Sequence, residues 1–425
     1  MNAISKAAAL KAASRAAAPR AAVEFRHVDV IFGKRPDRVL GLLDEGLDRD
    51  AIQQRTGNVV GVADATLDVG EGEICVLMGL SGSGKSTLLR CVNGLNRAVR
   101  GEVLVDFAGE TTDVARCDAR RLRHLRTHAI AMVFQQFALL PWRTVAENVG
   151  LGLELQGMPR RERDGIVGEK LAMVGLEAWK NAYAHELSGG MQQRVGLARA
   201  FALDAPILLM DEPFSALDPL IRAKLQDELL ALQQKLRKTI VFVSHDLDEA
   251  MKIGSRIAIM ESGRIVQYGT PEDIALNPAN AYVADFVAHM NPVNVLRGSS
   301  IMTPLEALRR LNGALVAEAD TRTTVRFDGA GTCRSAAMDG CGAVPVIQYT
   351  GPRQVETLPE RAVVTAPSGI TMREAMEIRR QTGAPIVLQD DGKAVGVIGN
   401  RELYQGILGR AADKGVTADT PREQG

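Results

Sequence analysis

Residues 74–87 read ICVLMGLSGSGKST. Five apolar residues run without polar alternation into a glycine-rich turn, and the following stretch, 87–93, has a helical pattern. A short, wholly apolar run suits a strand buried on both faces of a parallel sheet. The turn fits G-x-x-x-x-G-K-[ST], and a strand before it with a helix after it is the context that motif requires. Gly79, Gly82 and Gly84 let the backbone N–H groups curl inward around phosphate oxygens. The next helix turns its positive end toward the same charge. Ser81, Ser83 and Thr87 complete the loop. Lys85 is placed for the β- and γ-phosphates and Ser86 for Mg²⁺.

Similar apolar runs recur at 130–134, 207–210 and 240–243, with helical patterns between them. In one, Ile221, Leu225, Leu229, Leu232 and Leu236 repeat at helical spacing. Such alternation predicts an α/β fold over 23–290. The run at 207–210 ends on Asp211 and Glu212. Asp211 is placed to hold Mg²⁺ through water, and Glu212 to take a proton from an attacking water. Residues 145–187 are mostly helical in pattern and predict an inserted helical subdomain. After 291 glycine and threonine increase, and RFDGAGTCRSAAMDGCG (326–342) reads as turns and loops. A second, small domain is expected at 295–410. Residues 1–22 are alanine-rich and basic, without the apolar core of a secretory signal. They and the polar residues 411–425 read as disordered tails.

The chain has 425 residues, with 51 Lys+Arg against 51 Asp+Glu. Zero net charge argues against nucleic acid as the main partner. No apolar run approaches the ~18 residues of a membrane span, so membrane association is expected to come through a partner. Cys75, Cys91, Cys117, Cys333 and Cys341 are scattered, with neither CxxC nor metal spacing, and suit reduced structural thiols.

LSGGMQQR (187–194) resembles the signature motif of ATP-binding cassette (ABC) ATPases. Gln135 in VFQQF matches that family's Q-loop, residues 215–218 (SALD) its D-loop, and His245 in FVSHD its switch histidine. The resemblance covers about 23–269. It implies a P-loop NTPase cassette with ATP and Mg²⁺ as cofactors. Glu212, His245 and Gln135 become the catalytic set. Gln135 joins Ser86 and Asp211 near Mg²⁺, and Phe32 is the candidate face for adenine. The resemblance also implies that Ser188, Gly189 and Gly190, with Asp218 of the D-loop, act at a nucleotide shared with a second cassette, most simply in a homodimer. The signature loop then needs no lysine of its own, because the partner chain supplies Lys85.

Residues 33–61 are an insertion between the aromatic position and the phosphate strand, with Leu40, Leu43 and Leu47 at helical spacing and a second helix starting near Asp50. This insertion, together with MGLSGSGKST, ALDPLIR and SHDLDEAMKIGSRIAIM, resembles the ATPases of glycine betaine/proline betaine and choline importers. FQQFALLPWRTVAENV and HMNPVNVLRG are similar to the choline importer ATPases. The resemblance therefore implies an energy-coupling ATPase for quaternary amines, choline first and the betaine osmoprotectants as alternative. Its partners would be integral-membrane permease subunits and, indirectly, an external quaternary-amine binding protein. It would sit peripherally on the cytoplasmic face of a bacterial inner membrane. Leu140 and Trp142 beside Pro141 are candidates for the permease contact. A soluble ABC protein of DNA repair or translation is the competing reading, but such chains hold two cassettes or long coiled coils. Finally, 370–408 resembles one CBS unit, whereas 299–350 shows no clear strand–turn–strand. A small α/β, CBS-like domain with a structural or dimer-supporting role is expected.

Overall fold

The computed structural model describes residues 20–288, 291–311 and 313–408. The expected tails fall outside these residues, except for residues 20–22: Arg20 pairs with Asp106 at 2.5 Å, and Ala21 and Ala22 open the strand Ala21–Phe32. The chain forms two compact units that divide between Thr270 and Pro271. That is ahead of the boundary expected at 290–295. The reason is packing: Ala275, from the helix Pro271–Leu276, is buried with Leu296, Met372 and Leu388 in the core of the second unit.

The first unit is built on a six-stranded sheet ordered Arg264–Gly269, Arg256–Glu261, Ile74–Met78, Thr239–Val243, Ile207–Asp211, Ile130–Val133. All neighbours are parallel except the first pair, which forms an antiparallel edge. Every residue of Ile74–Met78, Ile207–Asp211 and Thr239–Val243 is buried, which explains their unbroken apolar sequence. An antiparallel sheet, ordered Val59–Gly70, Ala21–Phe32, Arg100–Phe107, Glu110–Asp113, lies across the helix that follows the phosphate strand. Leu88, Leu89 and Val92 of that helix, Lys85–Val92, share one core with Phe25, Val103 and Val105 of the antiparallel sheet and Leu209 and Val241 of the parallel one. Fully burying such side chains contributes about 1.5–3 kcal/mol each, so the helix is clamped where its first turn must meet phosphate.

The insertion at 33–61 folds as a short turn, Pro36–Val39, and the helices Leu40–Asp44 and Arg49–Thr56. Val39, Leu43 and Ile52 seat it on Ile31 and Val60. The segment 145–187 holds the helices Val145–Val149, Leu151–Leu155 and Arg160–Met173. Thr144 and Glu147 form a reciprocal capping box at its start. Cys75 and Cys91 are buried among apolar side chains, which pushes each thiol up to about 12.

The second unit has two sheets. One runs Thr303–Pro304, Lys393–Ile398, Ile386–Asp390, Val363–Pro367, Val346–Gln348, and is covered by the helices Met372–Thr382 and Asn400–Ile407. The other is an antiparallel meander: Arg310–Leu311, Ala314–Glu318, Thr323–Phe327, Cys333–Met338, Gly342–Val344. The stretch 326–342, read as turns and loops, does hold two turns, at 328–332 and 339–341, but between them lies the strand Cys333–Met338. Its alternation is muted because an irregular register buries Cys333 and Ala336, three positions apart, and both are small. The turn at its head is real: Asp328 accepts from the backbone N–H groups of Ala330 (3.0 Å) and Thr332 (2.9 Å).

A buried ion pair joins the meander to the helical layer. The Arg379 guanidinium donates to both Glu318 oxygens at 2.6 and 2.7 Å, and Glu318 also accepts from the Asn400 backbone N–H at 2.9 Å. Removing one partner of such a pair strands a buried charge. Glu318→Ala is accordingly expected to cost the second unit about 3–5 kcal/mol. Faster amide hydrogen exchange along Met372–Thr382 is the measurement, and unchanged exchange there would rule out that role for the pair.

Candidate nucleotide site

Parallel pairing carries the ends of Ile74–Met78, Thr239–Val243 and Ile207–Asp211 to one edge, the usual place for ligands in such sheets. The phosphate loop leaves the first of these strands. Gly79 has φ +142°, and a Cβ there would stand 2.1 Å from the Met260 carbonyl oxygen. Gly84 has φ +101°, and its Cβ would stand 2.3 Å from the Gly61 carbonyl oxygen. Any side chain at either position would displace the loop. The Lys85 ammonium folds back onto the Gly79 (2.8 Å) and Leu80 (2.9 Å) carbonyl oxygens. Burial pushes its pKa down, and the Glu212 and Asp211 charges oppose that.

The Ser86 hydroxyl donates to Asp211 Oδ1 at 2.7 Å, and Arg90 donates to Asp211 Oδ2 at 2.9 Å. Two hard oxygen donors at the end of a phosphate loop fit Mg²⁺, which binds through one or two protein ligands plus phosphate oxygens and water. Glu212 follows in a left-handed conformation (φ +48°), its N–H bonded to the Val243 carbonyl oxygen. This turn sends its carboxylate into the cleft. Glu212 Oε2 accepts from Gln135 Nε2 at 3.1 Å and lies 3.4 Å from His245 Nδ1. A carboxylate at the cleft, with an amide and an imidazole on one of its oxygens, can orient a water and take its proton.

One open cleft of about 550 Å³ brings together Phe32, Ser81, Gly82, Gly84, Lys85, Ser86, Thr87, Gln135, Glu212 and His245. Asp211 lies just behind it, wholly buried. Ser83 is buried too, and its hydroxyl has no hydrogen-bond partner among the described residues. Phe32 keeps 43% of its surface exposed and lies over Gly61, where a Cβ would come within 2.7 Å of the ring.

Ser188, Gly189, Gly190 and Asp218 do not line this cleft. Ser188 caps the helix Gly189–Ala202, accepting from the Met191 N–H at 3.4 Å, and stands exposed. Asp218 caps the helix Pro219–Leu236, accepting from the Ile221 N–H at 3.0 Å.

Sequence reading gave no role to three residues that hold the site in shape. Gln193, buried on the signature helix, donates to the Glu212 carbonyl oxygen (3.1 Å) and accepts from the Ala216 N–H (3.0 Å). It ties the helix Gly189–Ala202 to both Glu212 and the turn at 215–218. Arg199 donates to the Phe137 and Ala138 carbonyl oxygens at 2.9 and 2.7 Å, and those two residues hold left-handed conformations just after Gln135. The third, Arg90, braces Asp211. No sequence signal marked them: each is a polar residue on a helix, and Gln193 and Arg199 share theirs with Gln192 and Arg194.

A family model described as ABC transporter matches residues 62–215. The chain is 49% identical over 303 residues to the glycine betaine/proline betaine transport system ATP-binding protein of Salmonella typhimurium, a match spanning 68% of this chain and 75% of that one. The chain belongs to the ABC transporter ATPases of the glycine betaine/proline betaine family. It is also 48% identical over 295 residues to the glycine betaine transport ATP-binding protein of Bacillus subtilis, covering 69% of this chain and 70% of that one. With the glycine betaine/carnitine transport ATP-binding protein of Listeria monocytogenes it shares 40% identity over 380 residues, 88% of this chain and 95% of that one. Among solved structures, a dimeric ATP-binding cassette in a post-hydrolysis state bound to ADP and Pi is similar, with TM-score 0.51 and 32% identity over 59% of this chain and 98% of that one. This betaine-family protein is an ATP-binding ABC cassette and an ATPase. Among its described residues, no helix is long and apolar enough to cross a membrane.

Proposed function

We propose that this cassette hydrolyses ATP to drive import of glycine betaine or proline betaine. The similarity to three betaine-named transport ATPases carries that substrate class. The choline reading rested on two short stretches, FQQFALLPWRTVAENV and HMNPVNVLRG, and the relatives' names favour the betaines over it.

Within the reaction, the phosphate loop and Lys85 grip the triphosphate, and Phe32 offers adenine a flat apolar face. Ser86, Asp211 and Gln135 hold Mg²⁺, which neutralises phosphate charge when bound. Glu212 takes the proton of the attacking water, and His245 steadies the γ-phosphate. Ser188, Gly189 and Gly190 close over the nucleotide of a second copy, a reading the likeness to a dimeric cassette supports. The permease contact is Trp142, which is 71% exposed on a loop fastened by Asn148 through Leu140 (N–H···Oδ1 2.8 Å). A large apolar side chain held out rigidly suits an interface. Such docking makes the protein peripheral to the inner face of the membrane. Binding of the transported amine falls to other subunits, and the second unit serves a structural role.

Radiolabelled uptake in cells with and without this chain is the test. Glycine betaine uptake should depend on the chain and choline uptake should not. Chain-dependent choline uptake with indifferent betaine uptake would restore choline as the substrate.

A further inference from the structure

The insertion at 33–61 places one residue in the cleft that no motif explains. Arg49 is the first residue of the helix Arg49–Thr56 and lines the cleft beside Phe32, Val59 and Gly61. Its position is firmly set. Asp48 caps the helix, accepting from the Ala51 N–H at 2.7 Å. Ile52, fully buried, anchors the helix against Ile31 and Val60, the residues just before Phe32 and Gly61 on their strands.

The guanidinium donates one hydrogen bond, from a terminal nitrogen to the Gly82 carbonyl oxygen at 2.8 Å. Gly82 belongs to the phosphate loop itself. A guanidinium has five N–H donors in a fixed fork, so most of its capacity is unspent. Among the described residues Arg49 forms no ion pair, and the neighbouring Asp48 carboxylate accepts from the Ala51 N–H instead. An unneutralised cation resting on a loop shaped for polyphosphate is a charge waiting for an anion.

We propose that Arg49 is a nucleotide-binding residue, its guanidinium recognising the phosphate chain from the insertion side of the cleft while it props the loop at Gly82. Lys85 approaches the same chain from within the loop, so the nucleotide is gripped from two elements. The insertion thereby becomes part of the ATP site. This inference rests on the phosphate-loop reading of 79–87.

The test is calorimetric titration of the full-length chain with ATP, ADP and adenosine in the presence of Mg²⁺. Arg49→Gln keeps a donor for the Gly82 carbonyl and removes the charge. Arg49→Lys keeps the charge and loses the fork. Loss of a charge-assisted contact should weaken ATP and ADP binding about tenfold in Arg49→Gln, with adenosine unaffected and the melting temperature unchanged. Arg49→Lys should recover part of that loss. Unaltered ADP affinity in Arg49→Gln, or an equal loss for adenosine and ADP, would overturn the proposal. A parallel Lys85→Ala chain separates this from the underlying reading. If Lys85→Ala binds ATP normally, the phosphate-loop reading has failed. If only Arg49→Gln binds normally, that reading stands and Arg49 is merely a prop.

Discussion

Glu212→Gln is expected to lower ATP hydrolysis by about 10²–10⁴-fold, the usual contribution of a positioned base, while ATP still binds. The substitution keeps the shape of the side chain and removes its ability to take a proton. Glu212 has the position this requires: the left-handed turn after Asp211 aims it into the cleft, and Gln135 and His245 converge on Oε2. Lys85, Ser86 and Asp211 are untouched by the change, so the phosphate and metal contacts remain. The measurement is steady-state phosphate release beside ATP affinity. Hydrolysis at the parent rate would remove Glu212 from the base role. Loss of ATP affinity would instead point to a disturbed loop.

Ser188→Arg should abolish hydrolysis while each chain keeps its own ATP contacts at Lys85. Within one chain the substitution loses a helix cap, at about 0.5–2 kcal/mol, and Ser188 is exposed and away from the cleft. A large loss of activity is expected where a second chain's nucleotide meets the signature loop, and because Gln193 ties the same helix to Glu212, mixed dimers are needed to separate that route from one within the chain. Mixing Ser188→Arg with Lys85→Ala chains makes the point sharper. Each mixed dimer has one site carrying both defects and one composite site carrying neither. Partial return of activity on mixing is the expected result. If mixed dimers form and stay inactive, the two cassettes do not share sites in this way.

The parallel core was legible because its strands are buried on both faces, and such burial leaves an uninterrupted apolar run that needs no context to read. The strand positions 74–78, 130–133 and 207–211 stand close to where the sequence pattern placed them. The meander of the second unit was not legible. Its strands are short, and in Cys333–Met338 the two buried residues, Cys333 and Ala336, are small and three positions apart across an irregular register, so the period-2 signal was lost among glycines and threonines. The unit boundary was missed for a related reason. The helix Pro271–Leu276 continues the chain without any break in composition, and only its burial beside Leu296 and Met372 assigns it to the second unit.

The same division runs through the site. A phosphate loop, an acidic pair at a strand end and a signature loop are local devices. Each is written in a short run of residues, so order and spacing along the chain sufficed to single out Lys85, Ser86, Asp211 and Glu212 as candidates. Contacts made across the fold carry no such mark. Gln193 reaches Glu212 and Ala216, Arg199 holds the turn after Gln135, and Arg49 crosses from the insertion to Gly82. Each is a polar residue that pattern alone assigns to a solvated face. Only the packing of separate elements against one another decides that it bonds to the site, because the partner atoms are backbone N–H and carbonyl groups whose positions the fold creates.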